Sequence, residues 1–188
     1  NGKFQGEAIY FLSDYDNLLG ECTASSGSDC TIGDAFNGDA ATVQGLEMML
    51  TTDLTRTASF NIPLSFNYTY IDSEFDSDIA DTDFFGTVSK GDPIPYIPEH
   101  QFNVSLGFVK NKWSSYLNVS FVDEVCVRAS CGTFEKTDDA LVLDLSAHYA
   151  LNDTVDLYGK IENVTGEEDI MGRSEEHTSE LQSQAYLV

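Results

Sequence analysis

The sequence predicts an all-β fold, an antiparallel transmembrane β-barrel fragment, on two observations. Apolar and polar residues alternate along seven segments of the chain, and the connections between these segments are long and short in strict turn. Side chains of a strand point to opposite faces in turn, so each segment has one apolar and one mostly polar face. Bacterial outer-membrane barrels combine such strands with long extracellular loops and short periplasmic turns.

The seven predicted strands follow one another along the whole chain up to residue 161. The first, over residues 3–12, alternates least cleanly but is strand-like. The other six have apolar residues at every second position, or nearly so: Leu46, Met48 and Leu50; Phe60, Ile62, Leu64, Phe66, Tyr68 and Tyr70; Phe102, Val104, Leu106 and Phe108; Leu117, Val119 and Phe121; Leu141, Leu143, Leu145, Ala147 and Tyr149; Val155, Leu157 and Ile161. A tilted strand needs about 9–11 residues to cross a bilayer, and the lengths of most of these segments lie around that number.

The connections separate a barrel from a soluble β-sandwich, whose strands also alternate. Long loops are predicted at residues 15–41, 72–98 and 123–139, and short turns at 53–57, 110–112 and 150–154. A sandwich gives no reason for such a strict alternation of lengths, whereas an outer-membrane barrel requires it. Trp113 and Tyr149 lie next to short turns, and Tyr68 and Tyr70 next to a long loop, as in the two aromatic girdles of such barrels.

The charge balance excludes one class of partner. The chain has 32 acidic and 9 basic residues, a formal net charge of -23. Nucleic acid is not expected as a partner, because phosphate backbones are bound by Lys and Arg. The acidity fits either a solvated, self-repelling surface or loops that face a cation-rich exterior. No apolar run is long enough for a transmembrane helix, and no signal peptide opens the chain, whose natural start is expected to be missing.

The four cysteines form two close pairs, Cys22 with Cys30 and Cys126 with Cys131, each in a polar stretch. Their spacing is not that of a structural zinc site, and three histidines in the chain are few to complete one. Two local disulfides formed in an oxidising compartment are therefore favoured over free thiols. No metal site and no cofactor are predicted.

Two clusters resemble chemical sites but are explained more simply. Asp144, Ser146 and His148 have the residue types of a hydrolase triad and share one strand face. Alternate residues lie about 6.5–7 Å apart, too far for a nucleophile to bond its base, so polar lining of the lumen is predicted and no enzyme. The acidic run at residues 74–83 lacks the Gly and the closing Glu of a calcium loop. It is interpreted as a solvated loop, with weak calcium or lipopolysaccharide bridging as the alternative.

The alternation ends at Gly172. Residues 173–188 show no strand pattern, and their segment RSEEHTSELQS resembles a translated sequencing adapter. They are interpreted as a non-native, disordered tail and are excluded from the fold, which leaves residues 1–172 as the barrel part.

Five stretches of the chain resemble the last third of TonB-dependent receptors, nearest to the branch that includes ferric citrate receptors. They are YFLSDYDNLLGEC, IGDAFNGDAATVQGLE, KGDPIPYIPEHQFNVSLG, FVDEVCVRASCGTFEKTDDALVLDLSAHYALND and ENVTGEEDIMGR. The resemblance implies a barrel of about 22 strands with a plugged lumen in the bacterial outer membrane. It also implies uptake of a ferric siderophore or ferric citrate-like ligand, energised by the inner-membrane TonB complex through the plug. The plug and the last strand are expected to lie outside this chain, and outer-membrane lipid is expected around it.

Two residues are candidate ligand contacts under this resemblance. Arg128 lies between Cys126 and Cys131, and its guanidinium suits an anionic ligand such as ferric citrate because it can bind a carboxylate through two hydrogen bonds. A surface Arg that offsets Glu124 is the alternative. Tyr96, in the proline-rich segment at residues 91–98, is the second candidate at the lumen mouth. A passive porin and a secreted β-sandwich that binds or adheres remain the competing functions.

Overall fold

The computed structural model describes residues 4–21, 31, 33, 35–55, 59–82, 86–129, 131–132 and 135–168. Eleven strands form over these residues: β1 (Phe4–Tyr15), β2 (Leu19–Glu21), β3 (Ala35–Asn37), β4 (Ala41–Asp53), β5 (Pro63–Phe75), β6 (Ile79–Thr82), β7 (Gly86–Val88), β8 (His100–Lys110), β9 (Trp113–Val122), β10 (Ala140–Ala150) and β11 (Asp156–Ile161). A search of the same residues finds no helix with the length and apolar character to span a membrane.

Seven of the strands form one antiparallel sheet, the main sheet, in the order β1-β4-β5-β8-β9-β10-β11. Each strand pairs with the next long strand along the chain, as in a meander. The predicted all-β, antiparallel fold class is therefore confirmed. Within the described residues the sheet is open, with β1 and β11 at its two edges.

The boundaries of one strand differ from those predicted. β5 begins at Pro63 rather than at Phe60, because Asn61 makes only an isolated bridge to Val109. It also continues to Phe75, where the sequence predicts a loop from residue 72, because the first residues of β4 go on pairing with it. Backbone hydrogen bonding to β4 thus overrides the polar character of residues 72–74.

The long connections contain secondary structure of their own. β2 pairs with β3 in the connection between β1 and β4, and β6 pairs with β7 in the connection between β5 and β8. The short connections at 111–112 and 151–155 agree with the sequence, and the connection at 54–62 is longer than predicted. The predicted pair Cys22 and Cys30, and the tail at residues 173–188, lie outside the described residues.

The register aligns residues of one character into rows across the main sheet. One apolar row joins the residues Leu64, Leu106, Leu117, Leu145 and Ile161; the next joins Leu50, Phe66, Val104, Val119 and Leu143. The opposite face carries a polar row of Gln5, Thr51, Ser65, Ser105, Asn118 and Asp144. The apolar face stays largely exposed among the described residues, so the main sheet is a wall with one lipophilic side.

Aromatic side chains mark both ends of this wall on the apolar face. At the long-loop end the Tyr68 hydroxyl and His100 Nδ1 lie 2.9 Å apart, and the Tyr70 ring lies 5.2 Å from that of His100. At the short-turn end the Trp113 and Tyr149 rings lie 6.2 Å apart. β8, which joins the two levels, has 11 residues, and the distance from its first to its last residue is about 33 Å at a rise of about 3.3 Å for each step between neighbours. At a tilt of roughly 40° this length spans about 25 Å, the height of the apolar band of an outer-membrane barrel.

Candidate ligand-binding site at the long-loop end

A small apolar core lies at the long-loop end of the main sheet, and we call it the loop core. It consists of Ala41, Phe75, Val88 and Ala129, with Leu18, Ile79 and Ile94 packed against it. Phe75 and Ala41 are cross-strand partners on the face of the sheet that carries the polar rows. Because side chains from all three long connections pack onto this pair, the long loops fold over the polar face instead of away from it.

The segment that carries Tyr96 is held along the upper end of β5. The Phe75 N–H donates to Asp92 O at 3.0 Å, and the Gly91 N–H donates to Phe75 O at 2.8 Å. Further along, the Ile71 N–H donates to Glu99 O at 2.9 Å. Proline has no N–H and a fixed φ, so residues 91–98 return to β8 through turns and a single bridge at Pro93 and not as a regular strand. This return places Tyr96 beside the connection between β9 and β10.

That connection is closed by a disulfide between Cys126 and Cys131, whose Cα atoms lie 5.5 Å apart. Two backbone hydrogen bonds support it: the Val127 N–H donates to Glu135 O at 2.8 Å, and the Thr137 N–H donates to Val125 O at 2.9 Å. We call residues 126–131 the disulfide loop. Ala129, inside this loop, is only 1% exposed because it packs into the loop core. The disulfide loop is thereby fixed to the rest of the site.

Tyr96 and Arg128, predicted as separate candidates, come together here. The Tyr96 N–H donates to Cys126 O at 2.9 Å, which fastens the proline-rich segment to the disulfide loop. Burial raises the pKa of the Tyr96 hydroxyl, and the positive charge of Arg128 lowers it. Tyr96 remains 40% exposed and has a positive φ of 63°, a strained conformation for a non-glycine residue.

Other charged residues surround Tyr96 and Arg128 in the connection between β9 and β10. Lys136, in the same connection, forms an ion pair with Glu124, and the Glu135 carboxylate accepts the Gly132 N–H at 2.8 Å. Lys136 thus offsets the charge of Glu124 in this connection. A guanidinium and a phenol offer several N–H donors and one O–H donor, a set that suits carboxylate or phenolate oxygens of an anionic ligand.

The other sequence candidates are not assembled into a site. Asp144 accepts the Asn163 N–H at 2.9 Å, and His148 Nε2 lies 3.5 Å from Asp156 Oδ1, so these two groups have other partners. In the acidic run, Asp76 accepts the Thr42 hydroxyl at 2.6 Å and Asp78 accepts the Lys90 N–H at 2.9 Å. Over the residues that can be described, no group of His, Cys, Asp and Glu side chains is arranged to hold a metal ion.

The sequence did not predict the loop core, although one signal was present. Phe75 is an apolar residue in an acidic stretch, five residues beyond the last apolar position of the predicted strand, Tyr70. It lies at an odd-numbered position and therefore on the polar face of β5. Val88 and Ala129 are small apolar residues in segments that the sequence predicts as loops, and nothing in the sequence distinguishes them from their apolar neighbours.

A family model described as TonB dependent receptor-like, beta-barrel, matches residues 1–164. A comparison with curated proteins gives no match.

Proposed function

Because the chain belongs to the β-barrel family of TonB-dependent receptors, we propose that its long-loop end binds ferric chelates, of the siderophore or ferric citrate type, for uptake across the outer membrane. Members of this family are outer-membrane transporters of Gram-negative bacteria and not enzymes, and their uptake depends on TonB. In the proposal, the main sheet is part of the barrel wall in contact with outer-membrane lipid. The inner-membrane TonB complex supplies the energy through the plug that the resemblance implies.

One observation supports the ligand assignment: the Tyr96 backbone is hydrogen-bonded to the disulfide loop that contains Arg128, above the polar face of the main sheet. The polar face of a transport barrel lines the lumen, so groups above it lie where a ligand enters. The loop core holds the disulfide loop through Ala129, so the guanidinium is attached to a fixed base. A donor set already in position loses less conformational entropy when it binds a ligand.

The charge pattern supports an anionic ligand at this point. Ferric citrate and many ferric siderophores present carboxylate or phenolate oxygens around the iron. In a chain with a formal net charge of -23, most of the surface repels such a ligand. A fixed cation inside this field selects where the ligand can dock, because like-charge contacts elsewhere are unfavourable.

The competing functions lack such support. A secreted β-sandwich needs a second sheet against its apolar face, and no second layer covers that face anywhere in the described part of the chain. A passive porin needs an open mouth, whereas the long loops here pack over the polar face through the loop core.

The test replaces Arg128 in the receptor and measures equilibrium binding of ferric citrate and of a carboxylate siderophore. We expect Arg128→Ala to weaken binding about 10- to 100-fold, since hydrogen bonds to charged groups contribute about 1.5–3 kcal/mol. Arg128→Lys should recover only part of the affinity, because an ammonium cannot bind a carboxylate in the bidentate manner.

Lys90→Ala is the matched control, because it removes one positive charge from an exposed residue at the same end of the molecule. Affinity unchanged in Arg128→Ala would remove this residue from the site. An equal loss in both variants would mean that only the general electrostatic field acts, and the assignment of the site would be wrong.

A further inference from the structure

At the opposite end of the main sheet, the short turn between β8 and β9 forms a second depression, which we call the turn pocket. It has a volume of about 530 Å³. The residues that line it are Phe108, Lys110, Asn111, Lys112, Trp113 and Tyr149. Aromatic and basic side chains thus meet at one level of the wall, and the uptake site does not use them.

The register shows which rows of side chains border this depression. Lys110, Trp113, Tyr149 and Leu157 align as one row on the apolar face. The next row toward the middle of the sheet joins Phe108 with the small residues Ser115, Ala147 and Gly159, and the row beyond it consists of Leu and Ile. At Gly159, on the edge strand β11, a β-carbon would meet no atom within 4 Å. A groove of small side chains therefore runs between two rows of large ones.

The two lysines of the turn differ from other lysines of the chain. Lys136 and Lys160 each form an ion pair with a glutamate, Glu124 and Glu162. No carboxylate lies within ion-pair distance of Lys110 or Lys112 among the residues that the structure describes. Lys112 Nζ donates one hydrogen bond, to Leu151 O at 3.2 Å. An ammonium has three donors, so both lysines keep donors available for a ligand.

We propose that the turn pocket binds one anionic phospholipid, with its phosphate between Lys110 and Lys112 and an acyl chain on the aromatic side of the groove. Charge complementarity selects this occupant: two ammonium groups without carboxylate partners, in a chain of net charge -23, attract a phosphate group. The rings of Trp113 and Tyr149 support the position of the acyl chain, since Trp and Tyr rings occupy the level just below the lipid headgroups. Short turns lie on the periplasmic side of such barrels, so the lipid belongs to the periplasmic leaflet.

Trp113 is the only tryptophan of this sequence, and any tryptophan elsewhere in the receptor is replaced by phenylalanine, so that the fluorescence reports on the turn pocket. The experiment reconstitutes the protein in phosphatidylcholine vesicles in which a fixed fraction of the lipid carries brominated acyl chains, which quench tryptophan on contact. The brominated lipid is phosphatidylglycerol in one series and phosphatidylcholine in the other. We expect phosphatidylglycerol to be preferred at the pocket by about fivefold, as the lysines add attraction for its phosphodiester charge.

The double variant Lys110→Gln, Lys112→Gln keeps the aromatic residues and should reduce this preference to about one. Lys90→Gln, at the other end of the molecule, is the matched control and should leave it unchanged. Addition of inorganic phosphate should not displace the brominated chain, because the groove and not only the charge holds the lipid.

Four results would overturn the proposal. Equal quenching by the two brominated lipids in the unmodified protein would mean that no anionic headgroup is selected. A preference that persists in the double variant would place the selection elsewhere. Relief of quenching by inorganic phosphate would indicate a phosphate site without a bound chain. Quenching by neither lipid would remove Trp113 from the bilayer, and would contradict the membrane position of the wall as well.

Discussion

Two glycines on the polar face of the main sheet have room for no larger residue. A β-carbon at Gly45 would lie 2.2 Å from the backbone oxygen of Tyr70 and 2.6 Å from the ring of Phe11, its cross-strand partner. At Gly107 it would lie 2.6 Å from the ring of Tyr116. The ring of Phe11 thus covers Gly45, and the ring of Tyr116 covers Gly107, each from the neighbouring strand. An aromatic residue that faces a strand glycine in this way stabilises the sheet at that position.

Gly45→Ala should lower the free energy of unfolding by about 1–3 kcal/mol, the usual cost of an added methyl group in a filled site. The nearest atom at Gly45 is a backbone oxygen, which cannot rotate away as a side chain can. Gly159→Ala is the control, because that position is open and a strand alanine is favoured over glycine by about 0.5–1 kcal/mol. Urea unfolding of the protein in detergent measures both changes; equal effects of the two substitutions would contradict the packing described for Gly45.

In the candidate site, the sequence indicates the two candidate residues but not the contact that joins their segments. The position of Arg128 between two cysteines is visible in the sequence, and so is the proline-rich setting of Tyr96. The hydrogen bond from the Tyr96 N–H to Cys126 O is not, because it joins two separate connections. It depends on the pairing of β8 with β9, which brings the ends of both connections together.

At the scale of elements, strands with a strict period of two were predictable because that period puts every apolar side chain on one face. The hairpins β2–β3 and β6–β7 were not, since their strands are only three or four residues long and have no period to detect. The extension of β5 to Phe75 also depends on its partner: residues 72–74 are polar, and pairing with β4 keeps them in the sheet. Such short or polar strands are set by tertiary contacts, which no local pattern contains.

The disulfide loop is an element whose stability can be measured apart from the strands. Cys126 and Cys131 close a loop with a sequence separation of 5, so the chain-entropy relation predicts a contribution of about 2 kcal/mol. In the double variant Cys126→Ala, Cys131→Ala, we expect amide hydrogen exchange at Val127 and Thr137 to accelerate by about 30-fold. These two N–H groups donate the hydrogen bonds that hold the connection together.

Exchange at amides in the middle of β9 serves as the internal control, because that strand is paired on both sides and does not depend on the loop. If the amides of the loop and of β9 accelerated together, the disulfide would stabilise the whole sheet. If neither changed, the loop core alone would hold the disulfide loop in place.

At the scale of the whole molecule, the two faces of the main sheet have different surroundings. The polar face is covered at its long-loop end by the loop core, and the apolar face is exposed between two aromatic levels about 25 Å apart in height. A water-soluble protein rarely leaves an apolar surface of this extent uncovered. Lipid on one side and an aqueous lumen on the other account for both faces.

Substitutions at Val119 and Asn118, in the middle of the wall, test whether the apolar face contacts lipid and the polar face the lumen. They are neighbours in β9, but Val119 belongs to the apolar row with Val104 and Leu143, and Asn118 to the polar row with Asp144. Val119→Arg should lower the free energy of unfolding in lipid vesicles by about 2–4 kcal/mol, the cost of a cation at the bilayer midplane on the lipid side.

Asn118→Arg introduces the same side chain one residue away, where its guanidinium would face the carboxylate of Asp144 across the strand pair. An opposite-charge cross-strand pair is mildly favourable, so a change of no more than about 1 kcal/mol is expected. Denaturant titration of both variants in the same vesicles gives the two values. Equal costs, or a larger cost for Asn118→Arg, would mean that the leucine and valine rows do not face lipid.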